Sequence, residues 1–304
     1  MANSPLAVGG NRLRWPDLPA HVQQTIEDAL GAAVVGAENR EGGFSPALAS
    51  VLTLADGRRV FAKAVDAERS EFSVDALRRE AKILAALPPS LPASKLIWFG
   101  EYASWTILIL EAVDGHTPAQ PWQPAELARF LDAATLLADS LTPTPIDLVP
   151  LGDDVDAFTN WEKLPDHPHA AELAALEADW ATAVAGNSLL HGDLRADNFL
   201  LTADGFVVVD WPAACVGAPW VDLVLGLPSV AMHGGGDPEA LWAAHPLSRR
   251  ADPAAVDVVL AGIAGFFVAR SLEPPVPLLP TIREFQRVQG EITLAWLACR
   301  RGWA

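Results

Sequence analysis

His191-Gly192-Asp193-Leu194-Arg195-Ala196-Asp197-Asn198 is a polar stretch set between two apolar runs, Leu189-Leu190 before it and Phe199-Leu200-Leu201 after it. Asp204-Gly205 then turns the chain into an apolar strand over Phe206 to Val209 that ends on Asp210-Trp211. This layout places a loop and a strand end, each bearing a carboxylate, at the edge of a buried core. Taken singly, His191 reads as a satisfied core histidine and Asp210 as a strand terminus. Their order and spacing make them one set.

Working outward toward the N-terminus, the pattern is sheet-like. Leu18 to Leu30 reads as an amphipathic helix, followed by a strand-like stretch from about Ala33. Glu41-Gly42-Gly43-Phe44-Ser45 is a glycine turn leading into Ala47 to Ala55, where Leu48, Leu52 and Leu54 share one strand face. Asp56-Gly57 signals a tight hairpin into Arg58 to Val65. From Ser73, the expected N-cap, Leu77, Glu80, Ala81, Leu84 and Leu87 recur at helical spacing until Pro88-Pro89 stops them. Leu96 to Phe99 and Trp105 to Leu110 form a second hairpin.

Beyond Glu111-Ala112-Val113-Asp114-Gly115 the character turns helical, with strong periodicity over Pro124 to Leu141 and Ala170 to Ala185. Thr142 to His169, rich in Pro and Asp, reads as a long irregular stretch. After Val209 the remainder reads as helical through Trp303. The expected fold class is α+β, with a small sheet-rich N-terminal lobe and a larger helical C-terminal lobe.

Composition narrows the function classes. Of the 304 residues, 51% are hydrophobic and 11 are Trp, enough for a large core. The formal net charge of −17, with no Lys/Arg cluster to offset it, disfavours nucleic acid and anionic membrane as partners. It is compatible with a cationic ligand, although solubility explains it more simply. The apolar run Val258 to Ala269 is short for a bilayer core of about 30 Å and reads as a buried helix. Met1 to Pro5 lacks a basic patch followed by an apolar stretch, so a cytoplasmic location is expected. Cys215 and Cys299 are too far apart in sequence for a CxxC metal site and read as buried thiols.

His191-x-Asp193-x-x-x-x-Asn198 has the spacing of a phosphoryl-transfer loop, in which the Asp handles the attacking hydroxyl and the Asn a metal ion. A second metal carboxylate belongs shortly after it, where Asp210 stands. In Val60-Phe61-Ala62-Lys63-Ala64, a lone Lys amid apolar neighbours is costly to bury unless paired. Glu80, on the inward face of the next helix, is its expected partner; Glu71, before the expected helix start, competes. A surface Lys with a snorkelling stem is the simpler alternative. No GxxxxGK[ST] motif is present, which argues against the P-loop class.

These residues resemble the aminoglycoside phosphotransferase family, whose kin include choline, homoserine and fructosamine kinases. Its catalytic loop commonly reads His-Gly-Asp-Leu with an Asn five positions after the Asp, and Trp often follows the metal Asp. His191-Gly192-Asp193-Leu194, Asn198 and Asp210-Trp211 match. Protein kinases favour Arg at the middle loop position and Phe-Gly after the metal Asp, so Gly192 and Trp211-Pro212 point to the small-molecule branch.

The resemblance implies a bilobal protein-kinase-like fold, with residues 1–112 as the nucleotide-binding lobe and 113–304 as the catalytic and acceptor lobe. It implies Mg²⁺, and ATP or GTP as phosphoryl donor to a hydroxyl of a small molecule: an aminoglycoside-like antibiotic, a sugar, an amino sugar or an amino alcohol. Asp193 would be the catalytic residue, Asn198 and Asp210 the metal ligands, and Lys63 with Glu80 the phosphate grip. Gly42, Gly43 and Ser45 would cover the phosphates; the Glu111 carbonyl and the Val113 N–H would bind the base. His191 and Asp222 would be structural, although an N-cap explains Asp222 equally well. Asp197 is a further candidate for metal or substrate. For the acceptor, Asp153, Asp154 and Asp156 with Trp161 offer a cationic and stacking surface, against the plainer reading of a solvated acidic loop. The alternative to an enzyme is a degenerate nucleotide-binding scaffold, which usually lacks one of the Lys, catalytic Asp or metal Asp.

Overall fold

Side chains alternate across a strand, and in the N-terminal half that alternation sorts the sequence into two cores. The computed structural model describes residues 12–40, 45–164, 166–276 and 279–303. Strands β1 (Val34–Asn39), β2 (Leu48–Leu54), β3 (Arg59–Asp66), β4 (Leu96–Tyr102) and β5 (Trp105–Glu111) form an antiparallel sheet of order β1-β2-β3-β5-β4. Leu48, Leu52, Leu54, Val60, Ala62, Ala64, Ile107 and Ile109 pack on one side against Val22, Ile26 and Leu30 of helix α1 (Ala20–Leu30). Val65, Leu108 and Leu110 face the other way, toward Val74, Leu77, Ala81 and Leu84 of helix α2 (Glu71–Ala86). Lys63 shares the parity of Val65 and so lies on the α2 side.

Ser70, not Ser73, caps α2: its hydroxyl accepts from the Ser73 N–H at 3.1 Å. Glu71 is therefore the first residue of the helix rather than a residue before it, and it is exposed. The sequence reading missed this because either serine could satisfy the free N–H groups of the first turn.

The C-terminal half holds α3 (Pro124–Ser140), α4 (Val155–Phe158), α5 (Ala170–Glu177), α6 (Trp180–Ala183), α7 (Val221–Met232), α8 (Pro238–Ala244), α9 (Pro253–Ser271) and α10 (Ile282–Arg301). The expected helix over Ala170 to Ala185 is broken at Ala178-Asp179. The stretch read as irregular carries 3-10 turns at Leu151–Asp153 and Trp161–Lys163, with α4 between them. Its turns dock on the core through single large side chains, which no periodicity announces. Trp161 and Trp180 are fully buried, and Phe158 stacks on Trp180 at 4.1 Å. Each such indole buries on the order of 200 Å², a gross transfer gain of about 5 kcal/mol.

Helix α9 is long and apolar enough to cross a membrane by length and composition alone, and here Val256 to Gly265 of it is buried in the lobe core. Of the two cysteines, Cys215 is buried as expected, whereas Cys299 is exposed.

Two small ribbons flank the loop from His191 to Asn198 and the turn at Asp210. Strands β6 (Ser188–Leu190) and β9 (Cys215–Gly217) pair antiparallel, with Leu190 opposite Cys215; β7 (Phe199–Thr202) and β8 (Gly205–Val208) form a hairpin. β9 corrects the expectation that everything beyond Val209 is helical: three residues are too few for strand alternation to register. The Val208 N–H donates to the Pro92 carbonyl at 2.8 Å, so the Pro-rich link after α2 is tied to the C-terminal lobe.

Candidate active site

The loop between β6 and β7 is held by buried groups on both flanks. Asp222, in the first turn of α7, accepts from the backbone N–H of His191 at 2.7 Å and of Gly192 at 2.8 Å. Its side chain therefore braces the loop rather than capping the helix. Gly192 has φ +77°, and a Cβ there would collide with the Ala213 carbonyl, so both the conformation and the space require glycine. His191 is fully buried, accepts at Nδ1 from the Asp193 N–H (3.3 Å) and donates from Nε2 to the Val209 carbonyl (3.0 Å). Its ring meets the Trp211 indole edge-on at 4.7 Å. One imidazole thus pins the loop to the end of the strand that carries Asp210.

Asp193 stands at the open side of this frame. Asn198 Nδ2 donates to the Asp193 carbonyl (2.8 Å) and to its Oδ2 (3.0 Å), and Arg195 Nε lies 3.3 Å from Oδ1. Burial pushes the Asp193 carboxyl up to about 6, although Arg195 pulls the other way. Asp197 is taken by Arg195, Nε to Oδ1 at 3.1 Å and the terminal nitrogen to Oδ2 at 2.8 Å. The Arg195 guanidinium also lies over the Phe285 ring of α10, 5.3 Å from its centroid. Arg195 was missed by sequence reasoning, yet a cation two residues from each of two carboxylates is a readable signal for a neutralising clamp.

Across the cleft, Lys63 Nζ contacts Glu80 Oε1 at 2.9 Å and Oε2 at 2.7 Å, and Asp210 Oδ1 at 2.6 Å. Glu80, on α2, is the partner; Glu71 is not. Burial alone would lower the Lys63 ammonium, but Asp210 and Glu80 outweigh it and hold its pKa above the ordinary value. Burial would likewise raise Asp210; Lys63 and, behind it, His191 and Arg12 hold that carboxyl below the usual range. Asp210 has φ +66°, a left-handed conformation that costs a non-glycine residue about 1–2 kcal/mol and that Asp tolerates better than most. The Trp211 indole N–H, bonded to the Val208 carbonyl at 3.1 Å, helps to hold this turn.

Asn198 spends its N–H₂ on Asp193, which leaves its carboxamide oxygen for a cation, and its backbone carbonyl accepts at 3.0 Å from the N–H of Val209, the residue before Asp210. Two hard oxygen donors suit Mg²⁺, which takes one or two protein ligands and completes its shell with phosphate and water. Among the described residues no group of three or more His, Cys, Asp or Glu is placed to hold a metal ion.

Gly42 and Gly43 lie outside the described residues. Ser45 lies within them, its hydroxyl 3.5 Å from that of Ser73 at the start of α2. At the end of β5, the Glu111 carbonyl already accepts from the Ser94 hydroxyl at 2.9 Å and keeps one lone pair, while the Val113 N–H has no partner among the described residues.

None of the expected acceptor residues is among the charges that bear on Asp193. Trp161 is fully buried and donates to the Ala261 carbonyl at 2.8 Å, so it offers no stacking face. Asp153, Asp154 and Asp156 are exposed, and Asp153 lines a cleft beside α2. The charges that bear on Asp193 come from Arg195, Asp197, His191 and Asp210.

A five-stranded sheet lobe joined to a helical lobe, with a Lys–Glu pair and an Asp meeting a His-x-Asp loop at the join, defines a protein-kinase-like phosphotransferase. The chain belongs to the phosphotransferase enzyme family, whose model matches residues 37–257, and is a small-molecule kinase. Among solved structures it is similar to the aminoglycoside phosphotransferase APH(4)-Ia, with a TM-score of 0.63 at 16% identity over 93% of this chain and 98% of that one. A thermostable APH(4)-Ia variant in ternary complex with ADP and hygromycin B matches with the same score and identity, over 94% and 99%. The choline kinase LicA from Streptococcus pneumoniae matches with a TM-score of 0.59 at 13% identity, over 92% and 100%. At such identities the likeness speaks for the fold. No curated protein sequence matches this one.

Proposed function

We propose that the chain moves the γ-phosphoryl group of ATP or GTP to a hydroxyl of a small-molecule acceptor, with Asp193 as the residue that orients the hydroxyl and accepts its proton. The observation that carries this reading is the meeting of Lys63 and Glu80 from the sheet lobe with Asp210, on the same side as Asp193 and Asn198, in the helical lobe. Asn198 and Asp210 would hold Mg²⁺, which neutralises phosphate charge as the bond to the leaving oxygen breaks. Lys63, kept charged and aimed by Glu80, binds the phosphates. The Val113 N–H and the remaining lone pair of the Glu111 carbonyl offer one donor and one acceptor to a base edge, an arrangement open to adenine and guanine alike. Arg195 draws off the charge of Asp197 and fixes one Asp193 oxygen, leaving the other to the Asn198 amide and the incoming hydroxyl.

The relatives solved with ADP and hygromycin B, and the likeness to a choline kinase, support an acceptor from the amino sugar, antibiotic or amino alcohol range. The test is Mg²⁺-dependent turnover of ATP and of GTP against a panel of hydroxylated acceptors. Acceptor-stimulated release of nucleoside diphosphate is expected. Nucleotide binding without turnover on any acceptor, in a protein whose Lys63, Asp193 and Asp210 are intact, would favour a scaffold instead.

A further inference from the structure

Arg79 precedes Glu80 on α2 and, one residue away on a helix, projects from a neighbouring face. It does not stay within its own lobe: a terminal guanidinium nitrogen donates to the Ala214 carbonyl at 2.6 Å. Ala214 directly precedes β9, whose Cys215 pairs with Leu190, the residue before His191. The adjacent Ala213 carbonyl lies so close to Gly192 that no side chain fits between them. Arg79 therefore grips the backbone on which the catalytic loop rests.

The surroundings show what this grip controls. Arg79 itself lines a cleft of about 640 Å³ between the lobes, together with Asp75, Arg78 and Lys82 of α2 and with Asp147, Val149 and Asp153 of the C-terminal lobe. On that side α2 faces open space and not packed side chains. Arg78, the neighbouring cation, pairs among the described residues inside its own lobe, with Asp75 at 2.9 Å and Glu101 at 2.6 Å. The Nε of Arg79 is buried with no acceptor among the described residues, a cost that an arginine without a fixed task would escape by turning to solvent.

We propose that Arg79 is a positioning residue that sets α2, and with it the Glu80–Lys63 pair, against the catalytic loop through the Ala214 carbonyl. Without the tie, α2 moves into the cleft, Glu80 loosens its hold on Lys63, and the phosphate grip loses register with Asp193. The effect on turnover rests on the kinase reading above; the effect on α2 does not.

The experiment compares Arg79→Met with Arg78→Met, which removes the same charge from the same helix without crossing the lobes, and with Arg79→Lys. In full-length protein, hydrogen exchange of the α2 amides should quicken severalfold in Arg79→Met and stay at the wild-type rate in Arg78→Met. kcat should fall about tenfold and the Kd for ADP rise severalfold in Arg79→Met alone, the scale of one charge-assisted hydrogen bond. Arg79→Lys, which can still donate to the carbonyl, should recover part of both. Equal α2 exchange in the two Met variants overturns the proposal whether or not nucleotide binds. Losses in Arg79→Met that merely follow a lowered folded fraction, with kcat per folded molecule unchanged, overturn it too. Absence of nucleotide binding and turnover in the wild type would count against the kinase reading, while the exchange comparison still decides the role of Arg79.

Discussion

Two stretches of this chain are dense in Asp, and they behave in opposite ways. In the loop from 193 to 198 every carboxylate is held: Asp193 by Asn198 and Arg195, Asp197 by Arg195. Between 153 and 156 the three carboxylates are exposed and make no ion pair among the described residues, while the one aromatic nearby that looked available, Trp161, is in the core. A high local density of charge is the same in both. What separates a site from a solvated surface is that its charges are committed to fixed partners, which removes their freedom to relax and leaves them aimed at a common point.

The strongest way to break that contrast is Asp193→Asn. It should lower kcat about a thousandfold, the usual weight of a general base, while the Kd for ADP stays within about threefold. Full turnover by the variant in a coupled assay would remove Asp193 from the mechanism. Trp161→Ala should instead act on the fold, costing about 3–5 kcal/mol in chemical denaturation and leaving the acceptor KM of the folded fraction unchanged. A selective rise in acceptor KM would return this indole to the binding surface.

Asp222→Asn probes the brace beneath the loop. Replacing a charged acceptor of two backbone N–H groups should cost about 1.5–3 kcal/mol and reduce kcat along with stability. A variant as stable and active as wild type would mean that the loop holds its shape unaided.

The raised carboxyl of Asp193 predicts a pH effect of known sign. The group must be unprotonated to take a proton, so kcat/KM should be level above about 6 and fall about tenfold per unit as pH drops below it. A profile level down to pH 4 would show that proton acceptance by Asp193 does not limit the reaction. The smallest effect should come from the other acidic stretch: the triple change Asp153→Asn, Asp154→Asn, Asp156→Asn should alter kcat/KM for any accepted substrate by less than about twofold, in line with exposed, screened charges. A loss of tenfold or more with a cationic acceptor only would restore these residues to the acceptor site.

Much of the site was legible because its parts are short-range. The spacing from His191 to Asn198 is contained in one loop, Asp210 ends the next strand, and Lys63 stood out as a buried cation in need of a partner. Glu80 followed from helix periodicity even though the capping serine was misplaced, since moving the helix start by a few residues leaves the face of a later residue unchanged. Arg195 and Arg79 escaped notice for different reasons. Arg195 lies inside the motif with a carboxylate two residues to either side, so its signal is local but is masked by the stronger pattern of His191, Asp193 and Asn198. Arg79 finds its partner 135 residues away, on a backbone carbonyl that any residue type could supply. Of the acceptor candidates, Trp161 is in the core and Asp153, Asp154 and Asp156 are exposed, a difference that composition does not register because it reports how many charges a segment has and is silent on where they point.

By itself, then, the sequence determined what depends on local spacing and alternation: an α+β chain with a sheet-rich lobe and a helical lobe, a loop with the spacing expected for phosphoryl transfer, and the family to which the chain belongs. Only the tertiary structure decided which carboxylates converge, that Asp222 serves the loop and not its own helix, and that Trp161 is buried. Those outcomes depend on contacts between segments far apart in the chain, and such contacts are set by how whole elements pack, which no single stretch of residues encodes.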